Sequence, residues 1–104
     1  MTTLSTHVLD TARGKPAVGI PVRHDERRDG QWREVDRGET DTDGRIFGWA
    51  ADPGEHRLVF DTGEYLGPTA FYPEVVVAFM VRDDRHHHVP LLISGYGYST
   101  YRGS

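Results

Sequence analysis

VVVAFMVRDDRHHHVPLLISGYGYSTYRGS, Val75 to Ser104, is the stretch from which the fold can be read. Val75–Val81 is a β-branched, apolar run of strand length, the clearest buried strand in the chain. A charged turn, Arg82-Asp83-Asp84-Arg85, leads through His86, His87 and His88 into a second apolar run, Val89-Pro90-Leu91-Leu92-Ile93. Ser94-Gly95 turns the chain again, and Tyr96 to Ser104 closes it with an aromatic, β-prone segment. Such an ending is unusual, because the ends of small domains are usually frayed and polar.

Working outward from that stretch, the same alternation of short strands and turns covers the rest. Leu4 to Asp10 reads as a strand with Thr6 and Val8 on one face and Ser5, His7 and Leu9 on the other. Gly19 to Asp25 is a second strand, with Pro21 near its start or on an edge. Asp29-Gly30 marks a hairpin returning through Gln31 to Asp36. Gly38 to Gly44 reads as an acidic turn, Arg45 to Trp49 as a short strand, Asp52-Pro53-Gly54 as a turn and His56 to Asp61 as a strand. Between Thr62 and Thr69 the period of two fails, and a short helix stopped by Gly67-Pro68 fits there. Seven to eight strands with one short helix predict an all-β protein, an antiparallel β-sandwich forming a single domain over 1–104.

Composition narrows the function classes. The 104 residues carry a formal net charge of −4, with 27% charged side chains and no cysteine. No basic stripe exists, so nucleic acid is not an expected partner. Disulfides and thiolate metal sites are excluded. No apolar run approaches a membrane span and MTTLSTHVLD has no signal-peptide pattern, so a soluble, cytoplasmic protein is expected.

Several clusters could bear chemistry. Asp41, Asp43 and Gly44 resemble part of a calcium loop, but Ala50 stands where the bidentate glutamate belongs, so a plain turn is expected. His86 and His88 would share a strand face and supply half of a tetrahedral metal site; without cysteine, His7, His24, His56 or an acid would have to complete it. The expectation is no metal, with His86 and His87 partly solvated and His88 held in place. Ser5 beside His7 lacks the context of a serine nucleophile. Tyr96, Tyr98, Tyr101 and Arg102 suit either a subunit interface or burial within the sandwich.

Taken together, HHHVPLLIS, the ending YSTYRGS, the opening LSTHVLD and Gly14-Lys15-Pro16-Ala17 resemble the transthyretin-related 5-hydroxyisourate hydrolases over nearly the whole chain. The usual family form reads His-Tyr-His-Val-Pro, so His87 stands where a tyrosine is common. The resemblance implies a transthyretin-like sandwich. It implies catalytic roles for His7, Arg45, His88 and Ser104, and a substrate-binding role for Tyr101, Arg102 and Gly103. It also implies a homotetramer, a dimer of dimers with sites between subunits, and no cofactor.

The implied reaction is hydrolytic opening of 5-hydroxyisourate. It needs a polarised water, stabilisation of an oxyanion and grip on a flat, polar heterocycle. His7 or His88 could take the proton from water, since imidazole titrates near neutrality. Arg45 keeps its charge and offers a planar fork of donors for orientation and for the oxyanion. The alternative is a non-catalytic transthyretin-like carrier of small ligands. In such carriers lysine stands at the place of His7, threonine at that of His88, and the Tyr-Arg-Gly-Ser ending is missing. A structural sandwich module would explain Gly14 to His56 but neither the histidines nor the ending.

Overall fold

The computed structural model describes residues 2–103. Two sheets face each other across an apolar core. The first contains β1 (Thr2–Asp10), β2 (Lys15–Pro16), β5 (Arg45–Ala51), β8 (His87–Ile93) and β9 (Tyr98–Thr100). In it β2 and β5 pair with β1, β1 with β8 and β8 with β9. The second runs in the order β4 (Gln31–Glu39), β3 (Pro21–Arg28), β6 (Gly54–Phe60), β7 (Val75–Val81). One helix, α1 (Thr62–Leu66), bridges β6 and β7. Asp61 caps it by accepting from the Glu64 amide, and Gly67 ends it at φ +94°. Among the described residues no helix is long and apolar enough to cross a membrane.

The sandwich is the expected one, with three differences. Nine strands are present among the described residues, because a two-residue β2 pairs with the end of β1. The pairing is not antiparallel throughout, since β1 and β8 run parallel, Leu4 opposite His87 through Asp10 opposite Ile93. Gly38 and Glu39 are also strand, not turn. They extend β4 opposite Val22 and Pro21, so the acidic turn begins only after Thr40.

Period-two alternation dictates which face is buried. Leu4 and Val8 of β1, Leu91 and Ile93 of β8, Val22, Leu58, Phe60, Val75 and Val81 pack inward with almost no exposure. Burying each such side chain contributes about 1.5–3 kcal/mol against the entropy of ordering the chain. Buried polar groups are satisfied: the Thr6 hydroxyl donates to the Val89 carbonyl at 2.6 Å, and Asp10 accepts from the Tyr65 hydroxyl at 2.8 Å. Asp29 and Gly30 both have positive φ, 53° and 76°, which turns β3 into β4 with Arg28 opposite Gln31. With Leu4, Thr6 and Val8 turned inward, Thr3, Ser5 and His7 point to the outer face of the first sheet.

Candidate active site

That outer face gathers the site. His7 on β1 lies opposite Arg45 on β5, its antiparallel partner, and Ser5 lies opposite His88 on β8, its parallel partner. Because neighbouring strands keep their pleats in phase, all four side chains emerge from the same side. Ser5, Thr6, Arg45, Ile46, Phe47, His86 and His88 line an open cleft of about 290 Å³.

Local chemistry fixes Arg45. The Asp41 carboxylate accepts from the amides of Asp43 and Arg45, both at 2.9 Å, folding the acidic stretch into a tight Asx-type turn. Gly44 completes it at φ +75°, its carbonyl accepting from the Val8 amide at 2.7 Å. A β-carbon at Gly44 would lie 2.5 Å from the Val8 carbonyl oxygen, so only glycine lets the turn dock so closely on β1. The strand leaving the turn therefore begins with Arg45 beside His7. The hydrogen bonds to the Arg45 and Asp43 amides, with Arg45 and His7 nearby, hold the Asp41 carboxyl below the usual carboxylate range. The turn thus positions Arg45, with the Asp41 carboxylate engaged by its own backbone amides.

His88 is half-buried and held on two sides. Ser5 Oγ lies 2.7 Å from its Nδ1, and the Gly103 amide donates to its carbonyl at 2.8 Å in an isolated antiparallel bridge. The Gly103 backbone presses on the imidazole itself. A β-carbon there would stand 2.5 Å from Cδ2. Burial pushes the His88 pKa below its ordinary value, and the positive charges of His7, His86 and Arg45 push it the same way. The ring is therefore held neutral and able to accept a proton.

The structure brings His7, Arg45, His88 and Gly103 together. Tyr101 and Arg102 lie elsewhere, on an apolar groove of about 230 Å³ between the tail and β7, where Val77–Met80, His87–Val89 and Thr100 complete the lining. His88 borders both spaces. Ser104, expected among the catalytic groups, lies outside the described residues. The expectation that His87 is partly solvated is corrected. His87 is 4% exposed, because the parallel register turns it inward, and its Nδ1 donates to the Arg85 carbonyl at 2.7 Å. Tyr96, Tyr98 and Tyr101 are exposed, so burial within the same sandwich does not account for them.

Two residues that the sequence reading weighed, His86 as a metal ligand and Ser5 as a nucleophile, were not assigned to the site. His86 is exposed but bound, its Nε2 2.8 Å from Ser5 Oγ and its Nδ1 against the Thr3 hydroxyl. Ser5 joins the two rings. The signal for it was present, since Ser5 shares the face of His7; what was missing was the parallel partner strand. The His86 and His88 rings stack at 6.4 Å with Ser5 bridging their nitrogens. Among the described residues no three histidine or carboxylate side chains converge as a metal cage would require.

Two imidazoles and a guanidinium on the outer face of a two-sheet sandwich define a class of small β-proteins equipped for acid–base chemistry on a polar ligand. The chain belongs to the HIUase/Transthyretin family, whose model matches residues 4–103. It is 47% identical over 109 residues to the 5-hydroxyisourate hydrolase of Salmonella typhi, spanning 97% of this chain and 80% of that one. The structure of Klebsiella pneumoniae 5-hydroxyisourate hydrolase superposes with a TM-score of 0.83 at 35% identity, covering 100% and 94% of the two chains. Sea bream transthyretin in complex with thyroxine gives 0.88 at 29% identity, covering 96% and 93%.

Proposed function

We propose that this chain hydrolyses 5-hydroxyisourate to 2-oxo-4-hydroxy-4-carboxy-5-ureidoimidazoline, a step of urate breakdown. The observation that supports it most directly is the meeting of His7, Arg45 and His88 on one outer face, with His88 kept neutral. Names of relatives that this chain matches nearly end to end point the same way.

In this reading His88 is the general base. Its Nδ1 is engaged by Ser5, so Nε2 is the nitrogen that removes a proton from water as the oxygen attacks the ring carbonyl. The guanidinium of Arg45 faces the developing oxyanion with donors that need no reorganisation. His7, between Arg45 and His88, orients the water and returns a proton to the leaving ring nitrogen. Gly103 sets the His88 ring, while Tyr101 and Arg102, on the neighbouring groove that His88 also borders, bind substrate from that side, and Ser104 acts with the catalytic groups. No cofactor enters the scheme, and residues 1–104 act as one hydrolase domain.

A homotetramer, a dimer of dimers, belongs to the same proposal. Its support is exposed apolar surface: Phe47, on the cleft, is 70% exposed, and Tyr96, in the turn after β8, 84%. Surfaces of that kind are normally covered by a partner. Sedimentation at micromolar concentration tests the assembly; a monomer at all concentrations removes it.

The activity is tested by stopped-flow ultraviolet absorbance on 5-hydroxyisourate generated in place by uricase. The intact protein should speed loss of the intermediate well above its spontaneous decay, and His7→Ala and His88→Ala should not. A folded intact protein that leaves the spontaneous rate unchanged ends the catalytic reading. Ligand titration would then test the carrier, which the likeness to a thyroxine-bound transthyretin structure favours.

A further inference from the structure

Thr3, His86, Ser5 and His88 form an unbroken chain of hydrogen-bonding groups from an exposed hydroxyl to the half-buried imidazole of the cleft. His86 and Ser5 have no part in the scheme above except to hold His88. Their bonding has a consequence for protons. A serine hydroxyl has one hydrogen to donate, so Ser5 cannot donate to both rings at once. With Ser5 donating to His88 Nδ1, His86 must donate from Nε2 to Ser5, and His88 carries its own proton on Nε2. With Ser5 donating instead to His86 Nε2, His88 donates from Nδ1 to Ser5, and its Nε2 lone pair is free. The two polarities of the chain are the acid and base forms of the nitrogen facing the cleft.

We infer that Thr3, His86 and Ser5 are a proton relay that switches His88 between its two tautomers by exchanging a proton with solvent during turnover. The inference rests on the hydrolase reading for its role in turnover. Starting from the base form, His88 Nε2 takes a proton from the attacking water while its Nδ1 proton passes to Ser5 Oγ. The Ser5 proton passes to His86 Nε2, and the His86 Nδ1 proton leaves by way of the Thr3 hydroxyl or surface water. No net charge accumulates on His88. That matters because burial, with His7 and Arg45 nearby, disfavours an imidazolium there, with Tyr101 and Arg102 of the tail on its other side. The cycle closes when His88 Nε2 gives its proton to water in the cleft while one re-enters through His86 and Ser5 to Nδ1, which restores the base form. His86 is exposed and can exchange that proton with solvent. Ser5 and His86 are positioning and relay residues and touch no reacting atom.

The test combines an equilibrium and a kinetic measurement on the intact chain. Long-range proton–nitrogen NMR of the free protein should show His86 and His88 titrating as a coupled pair, and Ser5→Ala should uncouple them. In turnover, His86→Ala should lower kcat at least about tenfold with KM little changed, and millimolar imidazole buffer should restore most of the loss. Ser5→Thr, which keeps the hydroxyl, should retain activity that Ser5→Ala loses. Independent titration of the two histidines overturns the relay, whatever the activity proves to be. So does a wild type that turns over substrate with His86→Ala unaffected, or impaired but insensitive to imidazole. A wild type with no activity and a coupled histidine pair would instead remove the hydrolase reading while leaving the tautomer switch in place.

Discussion

The Gly103 backbone lies against the Cδ2 edge of the His88 imidazole, so that the smallest side chain at 103 would come within 2.5 Å of the ring and 3.3 Å of Pro90 Cγ. Two functions meet at this contact. The Gly103 amide bridges to the His88 carbonyl and ties the tail to β8, while the bare α-carbon sets how far the ring can swing away from Ser5. Gly103→Ala should therefore leave the sandwich folded, with Tm changed by only a few degrees, and should lower kcat/KM roughly 100-fold through misplacement of His88. Calorimetry and stopped-flow kinetics on the same preparation check both halves. Unchanged kinetics would mean that the ring and the tail move together and the contact sets nothing.

The pH dependence follows from the environment of His88. Burial, followed by His7, His86 and Arg45, lowers its pKa from the ordinary 6.5. A base acts only when deprotonated, so kcat/KM should stay level as pH falls to 6.5 and decline only below it. Linkage has the same sign: the unfolded histidine binds its proton at higher pH than the folded one, so the contribution of His88 to stability is present above 6.5 and lost as pH falls. His86→Gln removes a neighbour that opposes protonation of His88 and should move the acid limb upward. A limb at or above 6.5 in the wild type would contradict the assignment of His88 as the base.

Arg45 depends on a turn that contacts no substrate. Gly44 sits at φ +75° with the Val8 carbonyl oxygen where its β-carbon would go. Gly44→Ala meets both an unfavourable backbone region and a backbone obstacle, and should cost roughly 2–3 kcal/mol by urea denaturation. Asp41→Ala removes the acceptor for two amides in an exposed turn and should cost only about 1 kcal/mol while loosening Arg45. Its signature should be a fall in kcat/KM larger than the stability loss explains. If Asp41→Ala is as active as the wild type, the turn is only structural.

Much of this site was legible before any coordinates. Alternation on β1 separates His7 and Ser5 from Leu4, Thr6 and Val8, and the Asp41–Gly44 turn announces itself by residue type. What alternation does not encode is which strand lies beside which. The parallel pairing of β1 with β8 joins residues more than eighty positions apart, and that long-range pairing alone puts Ser5 against His88 and Leu4 against His87. Alternation already sets His86 and His88 on one face and His87 on the other, but not which face is the core. The parallel pairing puts His87 against the core and His86 and His88 on the outer face with Ser5 between them. The aromatic ending was likewise readable as strand, but its division between the groove at Tyr101 and the ring contact at Gly103 depends on where the tail lands.

A last prediction concerns histidines that the site does not use. His24 and His56 are buried in the second sheet with His24 Nε2 2.9 Å from His56 Nδ1, their rings flanked by Trp49 at 5.9 Å and Phe79 at 5.8 Å. The Asp52 carbonyl and the Asp36 carboxylate can only accept, so His56 Nε2 donates to the first at 2.6 Å and His24 Nδ1 to the second, and the two facing nitrogens share one further proton. Each ring thus satisfies the other, and Asp36 holds the far edge of His24 at 2.8 Å. Replacing one ring strands the facing nitrogen away from water, which should cost about 2–3 kcal/mol for either His24→Leu or His56→Phe. The double variant removes both facing nitrogens and fills the space with apolar side chains between two aromatic rings. It should lose at least about 1 kcal/mol less than the sum of the single losses. A double-mutant cycle by urea denaturation measures this directly. Additivity within about 0.3 kcal/mol would show that the two rings stabilise the sheet separately and that their hydrogen bond adds nothing.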